Sequence, residues 1–407
     1  MSNFVTALVV VLLHYNESSS AFTIRFPLIR DRTTNSQLHW SCLVECNDLD
    51  YCEEEGGTSF SSTTPSVITT AEHNTYDLTS PREWLEFCEL ENGNGAYTVM
   101  RCDYDFHDAL FLQWGNEFHL NRLESSFATI APANVDLASH GTREKSRNMI
   151  RFLLKQAKEE CQGLQAHIDE ESLFCTFMVT ILWQPKNDDV QVQGHIFSSL
   201  TPADVKSSLL SNPLTAAIAL DPYLELPNRC QNSPDAKLIA WCRKRRPLEE
   251  KFKSRGVGEV LLTRKRDNQV EILEGLTSNL FVLYPGGVLH TCETDSVLKG
   301  YARHLVITAA NACGLTIAIG PILTEEADLW QEVFLTSSIR VIAPVGEIIL
   351  PDTDGSSTTL WRLDGVSPQD ATDSLMWKQL LSEIYEIVRR KGQGCFGSSL
   401  NPTGQRY

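Results

Sequence analysis

The chain has 407 residues, 42% of them hydrophobic and 21% charged, enough for two domains with a sizeable core and inconsistent with a disordered protein. A formal net charge of −17 excludes nucleic acid as a main partner, because phosphate backbones select basic surfaces. Twelve cysteines are spread from Cys42 to Cys395 without a paired framework, and the nearest group, Cys42, Cys46 and Cys52, lacks the C-x2-C pairs of a zinc site. They read as thiols of a reducing compartment, with no metal expected.

Phe4 to Leu13 is apolar apart from Thr6, too short to span a bilayer and about the length of a signal-peptide core. Ser19 and Ala21 are small residues placed for cleavage before Phe22, so residues 1–21 read as a signal-like targeting segment. Residues 22–81 carry Arg25, Arg30 and Arg32 against Asp31, then a Ser/Thr-rich stretch with the acidic run Glu53 to Glu55, and read as a transit or low-order extension. The two together resemble a two-part plastid targeting sequence, which points to a plastid; a secreted or a cytoplasmic protein is the alternative. No other stretch is long and apolar enough to span a membrane.

Residues 82–200 are expected to form a small α+β domain. Ala96 to Cys102 and His107 to Leu112 read as strands, and Phe118 to Ser126 opens a helix. Arg147 to Cys161 places Met149, Phe152, Leu153 and Ala157 on one helical face, and Leu173 to Trp183 and Gln191 to Ser198 read as neighbouring strands. Residues 201–234, punctuated by Pro202, Pro213, Pro222, Pro227 and Pro234, suggest a linker. The larger mixed α/β domain is expected over 235–392. In it the basic run Arg243 to Arg246 reads as a solvated or structural helix face, since Leu248 and Phe252 continue at helical spacing. Strands from Glu259, Gln269, Asn279 and Val288 form a β-meander. A helix runs from Gly300 to Cys313 and is stopped by Gly314, and strands follow at Glu332 to Leu335 and Val341 to Val345. A closing helix spans Asp373 to Lys391, and residues 393–407 read as a mobile tail.

The chemistry gathers around Lys237, in Ser-Pro-Asp-Ala-Lys-Leu-Ile-Ala-Trp, and Glu274, 37 residues on, in Glu-Gly-Leu-Thr-Ser-Asn-Leu-Phe-Val. An amine that forms a Schiff base and a carboxylate that holds a proton on a pyridine nitrogen are what pyridoxal phosphate chemistry needs. This order of residues resembles the class IV aminotransferase family, the fold-type IV pyridoxal phosphate enzymes, over roughly Gly95 to Gly346. That family includes branched-chain and D-amino acid transaminases and aminodeoxychorismate lyases. The resemblance implies a two-domain α+β fold with pyridoxal 5′-phosphate between the domains, a homodimer, and small amino acid and keto acid substrates.

It also implies roles residue by residue. Lys237 is the Schiff-base lysine and Glu274 the ring-nitrogen partner. Arg122, in His-Leu-Asn-Arg-Leu-Glu-Ser-Ser, matches a phosphate-binding arginine, and Ser337 and Ser338 fall where phosphate contacts are made. Leu298, Gly300 and Tyr301 open the helix whose N-terminus binds the phosphate, and Tyr97 and Thr98 fall where the substrate pocket is lined. The chain departs from the pattern in three places. Cys242 stands where many members have a tyrosine for the cofactor's hydroxyl, Lys299 replaces a proline and Ala302 a phosphate-binding threonine. Lys299 could make up the loss at Ala302 by charge. Leu173 to Trp183 has no Arg-x-His of the D-amino acid type. An aminotransferase of α-amino acids, an aminodeoxychorismate lyase that releases pyruvate to form 4-aminobenzoate, and a non-catalytic binding protein of this fold all remain open here.

Overall fold

The computed structural model describes residues 24–25, 39–46, 84–86, 88, 95–105, 110–131, 141–164, 172–184, 189–199, 213–219, 235–253, 256–266, 268–351, 356–363 and 375–394. The expected targeting segment 1–21, Cys52 and the last thirteen residues, 395–407, lie outside them.

The smaller sheet is built from β1 (Ile24–Arg25), β2 (His39–Cys46), β3 (Gly95–Asp105), β4 (Leu110–Gln113), β5 (Ser172–Gln184) and β6 (Asp189–Ser199), in the order β1-β2-β6-β5-β3-β4. Every neighbouring pair is antiparallel. Helices α1 (Asn116–Ala128) and α2 (Thr142–Leu164) cover one face. There Leu120, Leu123 and Phe127 of α1 and Met149, Leu153 and Ala157 of α2 pack on Met100, Phe177 and Val192 of the strands. The other face is apolar too: Tyr97, Val99, Met178 and Leu182 pack against Trp84, Ile239 and Cys242. A strand buried on both faces carries side chains in both directions at a period of two, so β3 sends Met100 toward the helices and Tyr97 and Val99 the opposite way.

The larger, mixed sheet contains β7 (Leu214–Ala219), β8 (Glu259–Arg266), β9 (Gln269–Gly275), β10 (Asn279–Tyr284), β11 (Val288–Thr291), β12 (Thr316–Ile319), β13 (Ile322–Leu323), β14 (Glu332–Ser337), β15 (Val341–Pro351) and β16 (Ser357–Arg362). Its path is β12-β11-β10-β14-β15-β7-β8-β9-β13, with β16 on β15. One further pairing, Glu274 opposite Asn279, joins β9 back to β10 and closes β10-β14-β15-β7-β8-β9 into a ring. Helix α3 (Ala240–Lys253) buries Leu248 and Phe252 beside Val260 and Leu262. Helices α4 (Tyr301–Ala312) and α5 (Met376–Gly394) pack Leu305, Val306, Leu380 and Ile384 around Phe281 and Phe334.

Two stretches depart from expectation. Residues 214–219, inside the supposed linker 201–234, form β7, a central strand parallel to both β15 and β8. Ala216 and Ala217 have little strand propensity of their own, and the flanking prolines disguised a segment that tertiary packing makes a strand. Likewise, within 22–81, residues 24–25 and 39–46 form β1 and β2, and β2 pairs with β6 from His39↔Ser199 to Cys46↔Val192.

Phe281 and Phe334 stack with ring centroids 5.3 Å apart and are fully buried between sheet and helices. Phe334→Ala is expected to cost about 3–5 kcal/mol, read as a lower urea midpoint at unchanged m-value.

Candidate active site

Lys237 precedes α3, and its backbone is stitched to the smaller domain. Its N–H donates to Ser126 Oγ of α1 at 2.9 Å, and its carbonyl accepts from Tyr97 N–H at 3.0 Å. Ile239 N–H donates to Gly95 O at 2.9 Å, so this short segment extends the β3 edge by a bridge between Ala96 and Leu238. The amine is thereby fixed at the seam between the domains, with Nζ 5.1 Å from the Tyr97 ring centroid. It opens into a cavity of about 370 Å³.

Glu274 lines the same cavity at the end of β9 and is buried. Its Oε2 accepts from Asn279 Nδ2 at 3.1 Å and from Leu298 N–H at 3.0 Å, and Asn279 Nδ2 also donates to Leu298 O at 2.7 Å. Asn279 therefore ties strand closure, acid and the entry to α4 into one unit. It also explains the glycine at 300, because a Cβ there would run into Asn279 Oδ1. Arg303, held by Thr291 Oγ1 and Cys292 O, lies near enough to favour the Glu274 charge.

A third wall is built for an anion. Helix α4 begins at Gly300 with no side-chain cap, leaving first-turn N–H groups at the positive end of its dipole. Leu298, Gly300, Tyr301 and Ala302 line the cavity there, facing Thr336, Ser337 and Ser338 at the end of β14. Buried Thr336 Oγ1 has no hydrogen-bond partner among the described residues, and neither does the Nε of buried Arg122. Burial lowers the Arg122 pKa to about 10, against a small opposing effect of Tyr97, so its guanidinium is still a cation at neutral pH. Arg122 Nη2 donates to Thr98 Oγ1 and to His119 Nδ1, both at 3.0 Å.

The expected residues Lys237, Glu274, Arg122, Leu298, Gly300, Tyr301, Ser337, Ser338 and Tyr97 thus share one cavity. Thr98 is the exception. Strand alternation turns it away from the cavity and toward α1, where it bonds Arg122 and His119, so it supports the wall without lining it. Nor does Lys299 make up for Ala302, because its Nζ pairs with Asp235 at 3.2 Å and it is absent from the lining.

Several residues of the cavity and its walls had not been singled out. His119 is fully buried one helical turn before Arg122. Glu259 accepts from Thr277 Oγ1 at 2.6 Å and Ser278 Oγ at 2.9 Å. Arg340 lies at the exposed rim. The basic run, read as a solvated or structural helix face, is both: Arg243 is exposed, while Arg245 is buried in the cavity wall. The spacing of Trp241, Arg245, Leu248 and Phe252 was the available signal for Arg245, as it places them on one buried helix face. The loop carrying Ser338 is held from the other domain: buried Arg101 donates to Ile339 O at 2.6 Å and is fixed by Asp103 and Tyr385.

Burial, with the charges of Arg122 and Lys237, drives the His119 pKa well below 6.5. Folded His119 is therefore neutral where the unfolded chain would bind a proton. Its contribution to stability is intact above the unfolded value and is lost as pH falls from there toward the folded pKa. The thermal stability of the wild type should fall with acidification below pH 6.5, by at most about 1.4 kcal/mol per pH unit from this group. His119→Gln should flatten that part of the profile.

The family profile described as Amino-transferase class IV matches residues 95–348. Among solved structures, a fold IV-transaminase from Curtobacterium pusillum superposes with a TM-score of 0.53 at 17% identity, covering 81% of this chain and 92% of that one. A mutant branched-chain amino acid aminotransferase from Thermobaculum terrenum gives 0.53 at 17% identity, covering 79% and 89%. A branched-chain aminotransferase from the archaeon Thermoproteus uzoniensis, solved with norvaline, gives 0.50 at 18% identity, covering 79% and 91%. At such identities the structures establish a shared fold, while the profile spans more than half of the sequence. The chain belongs to the class IV aminotransferase family of enzymes.

Proposed function

We propose that the protein is a pyridoxal 5′-phosphate-dependent aminotransferase acting on an α-amino acid. The observation that carries this reading is the placement of Lys237 and Glu274 on different walls of one cavity whose third wall presents donors for an anion. The residues fit the cofactor. Buried Arg122 Nε and Thr336 Oγ1 lack partners among the described residues, and the α4 N-terminus has no side-chain cap, as a phosphate site requires. Arg122, Thr336, Ser338 and the N–H groups of Tyr301 and Ala302 would hold the phosphate, Glu274 the ring nitrogen and Lys237 the aldehyde carbon. When bound, the cofactor supplies an electron sink for the pair released from a substrate C–H bond.

The chain's own residues then divide the work. Glu274, held by two N–H donors on a single oxygen, keeps a proton at the ring nitrogen. Lys237 Nζ takes a proton from the substrate's α-carbon and returns one on the product side, as general base and then acid. Tyr97 and Val99 on β3, with Ile339, form an apolar flank for the substrate side chain.

Purified protein incubated with the cofactor should turn yellow, and amino donors with a keto acid acceptor should be converted. Lys237→Ala should lose the colour and about 10²–10⁴-fold in turnover. Glu274→Gln should stay folded and yellow yet lose most of its turnover; a colourless wild type, or full activity in Lys237→Ala, would refute the reading.

A further inference from the structure

Arg245 is a buried cation that the roles above leave unused. It lines the cavity from the second turn of α3 and is nine-tenths buried. Helical side chains lean toward the helix N-terminus, the end of α3 where Lys237 stands, and Arg245 lines the cavity together with Trp241 and Lys237. Its Nε lies 2.9 Å from Glu249 Oε1 but out of line for a hydrogen bond, and no other hydrogen bond of Arg245 is found among the described residues. Glu259, the carboxylate across from it on β8, is already engaged by Thr277, Ser278 and the Val260 N–H. Burial opposes the charge, but the anionic neighbours Glu249 and Glu259 favour it, and the guanidinium stays protonated.

A guanidinium offers five N–H donors, and the buried Nε of this one makes no hydrogen bond among the described residues, which is unfavourable. Among the described residues of α3, Trp241 and Arg245 line the cavity. Trp241 Nε1 is spent on Leu276 O at 2.9 Å, and Cys242 packs in the apolar cluster of Trp84 and Val99. The ligand proposed above carries two anionic positions, its phosphate and its ring 3-oxygen. The phosphate is met by α4, Thr336 and Arg122. The 3-oxygen is bonded to the carbon next to the one that bears the aldehyde engaged by Lys237, on the flank away from the phosphate arm.

We propose that Arg245 is a ligand-binding residue whose guanidinium donates to the anionic 3-oxygen of the pyridoxal ring. The proposal rests on the cofactor reading of the same cavity. A cation beside that oxygen stabilises its negative charge and so favours loss of the proton held between the oxygen and the Lys237 nitrogen.

The test is a pH titration of the visible absorbance band of protein loaded with pyridoxal 5′-phosphate, comparing wild type, Arg245→Gln and Arg245→Lys, with thermal unfolding as a control for folding. In Arg245→Gln the midpoint of the band should rise by about one to three pH units, the effect of a charge within a few Å. Arg245→Lys, which keeps the charge on a shorter and single-point donor, should shift the same way by less, and it decides alone if the glutamine variant does not fold. Midpoints that coincide with wild type overturn the assignment. If they coincide and KM rises for α-amino acids and not for an amine lacking a carboxylate, Arg245 binds the substrate's carboxylate instead. A wild type that stays colourless with the cofactor defeats the parent reading as well, whereas a yellow wild type with unmoved variants defeats this assignment alone.

Discussion

The closure of the larger sheet at Glu274 and Asn279 is the constraint on which the site depends. These two residues are backbone neighbours in the β9–β10 pairing and hydrogen-bonded partners through their side chains. The turn between them is short and tightly bonded, with Gly275 N–H donating to Ser278 O at 2.8 Å and Leu276 N–H to Val260 O at 3.0 Å. Because Asn279 also bonds Leu298 O and Glu274 accepts the Leu298 N–H, the same closure sets where α4 begins. One buried amide therefore positions both an acid and a helix N-terminus, two features that act on opposite parts of a ligand.

The smaller domain supplies what this frame lacks. By pairing with the segment around Lys237, β3 delivers the amine, and α1 delivers Arg122 from behind the same strand. Gly115, in the left-handed region between β4 and α1, lets the start of α1 approach α4, since any Cβ there would run into the Tyr301 ring. Arg101 reaches the other way to hold the Ile339 carbonyl. The cavity wall is thus shared between two domains that are tied by hydrogen bonds at its base and at its rim.

Charge is distributed against the global trend. In a chain of net charge −17, the cavity lining presents Arg122, Lys237, Arg245 and Arg340 against Glu259 and Glu274. Both carboxylates are already satisfied by hydrogen-bond donors, while Arg122 retains an unpartnered Nε. Such a local excess of positive charge along the cavity lining suits anionic ligands and repels cations, whatever the surface does at long range.

Lys237, Glu274, Arg122 and the Gly300 helix start were legible in the chain because each is embedded in a local signal: a motif order, a strand end, or a helix boundary with its glycine. The periodic segments were legible for the same reason, as Met149, Leu153 and Ala157 or Leu305, Val306 and Ala309 repeat with the pitch of a helix. Strand β7 was not, since an alanine-rich stretch between prolines becomes a strand only when β15 and β8 flank it. Nor was the direction of Thr98, which depends on which face of β3 meets α1, or the pairing of Lys299 with Asp235 rather than with the cavity. Residue type and spacing determine which chemical groups the chain carries and which segments can be helices. Their convergence on one cavity, including a buried Arg245 from the basic run Arg243 to Arg246, is decided by long-range packing, because hydrogen bonds between residues more than a hundred positions apart leave no periodic trace in the sequence.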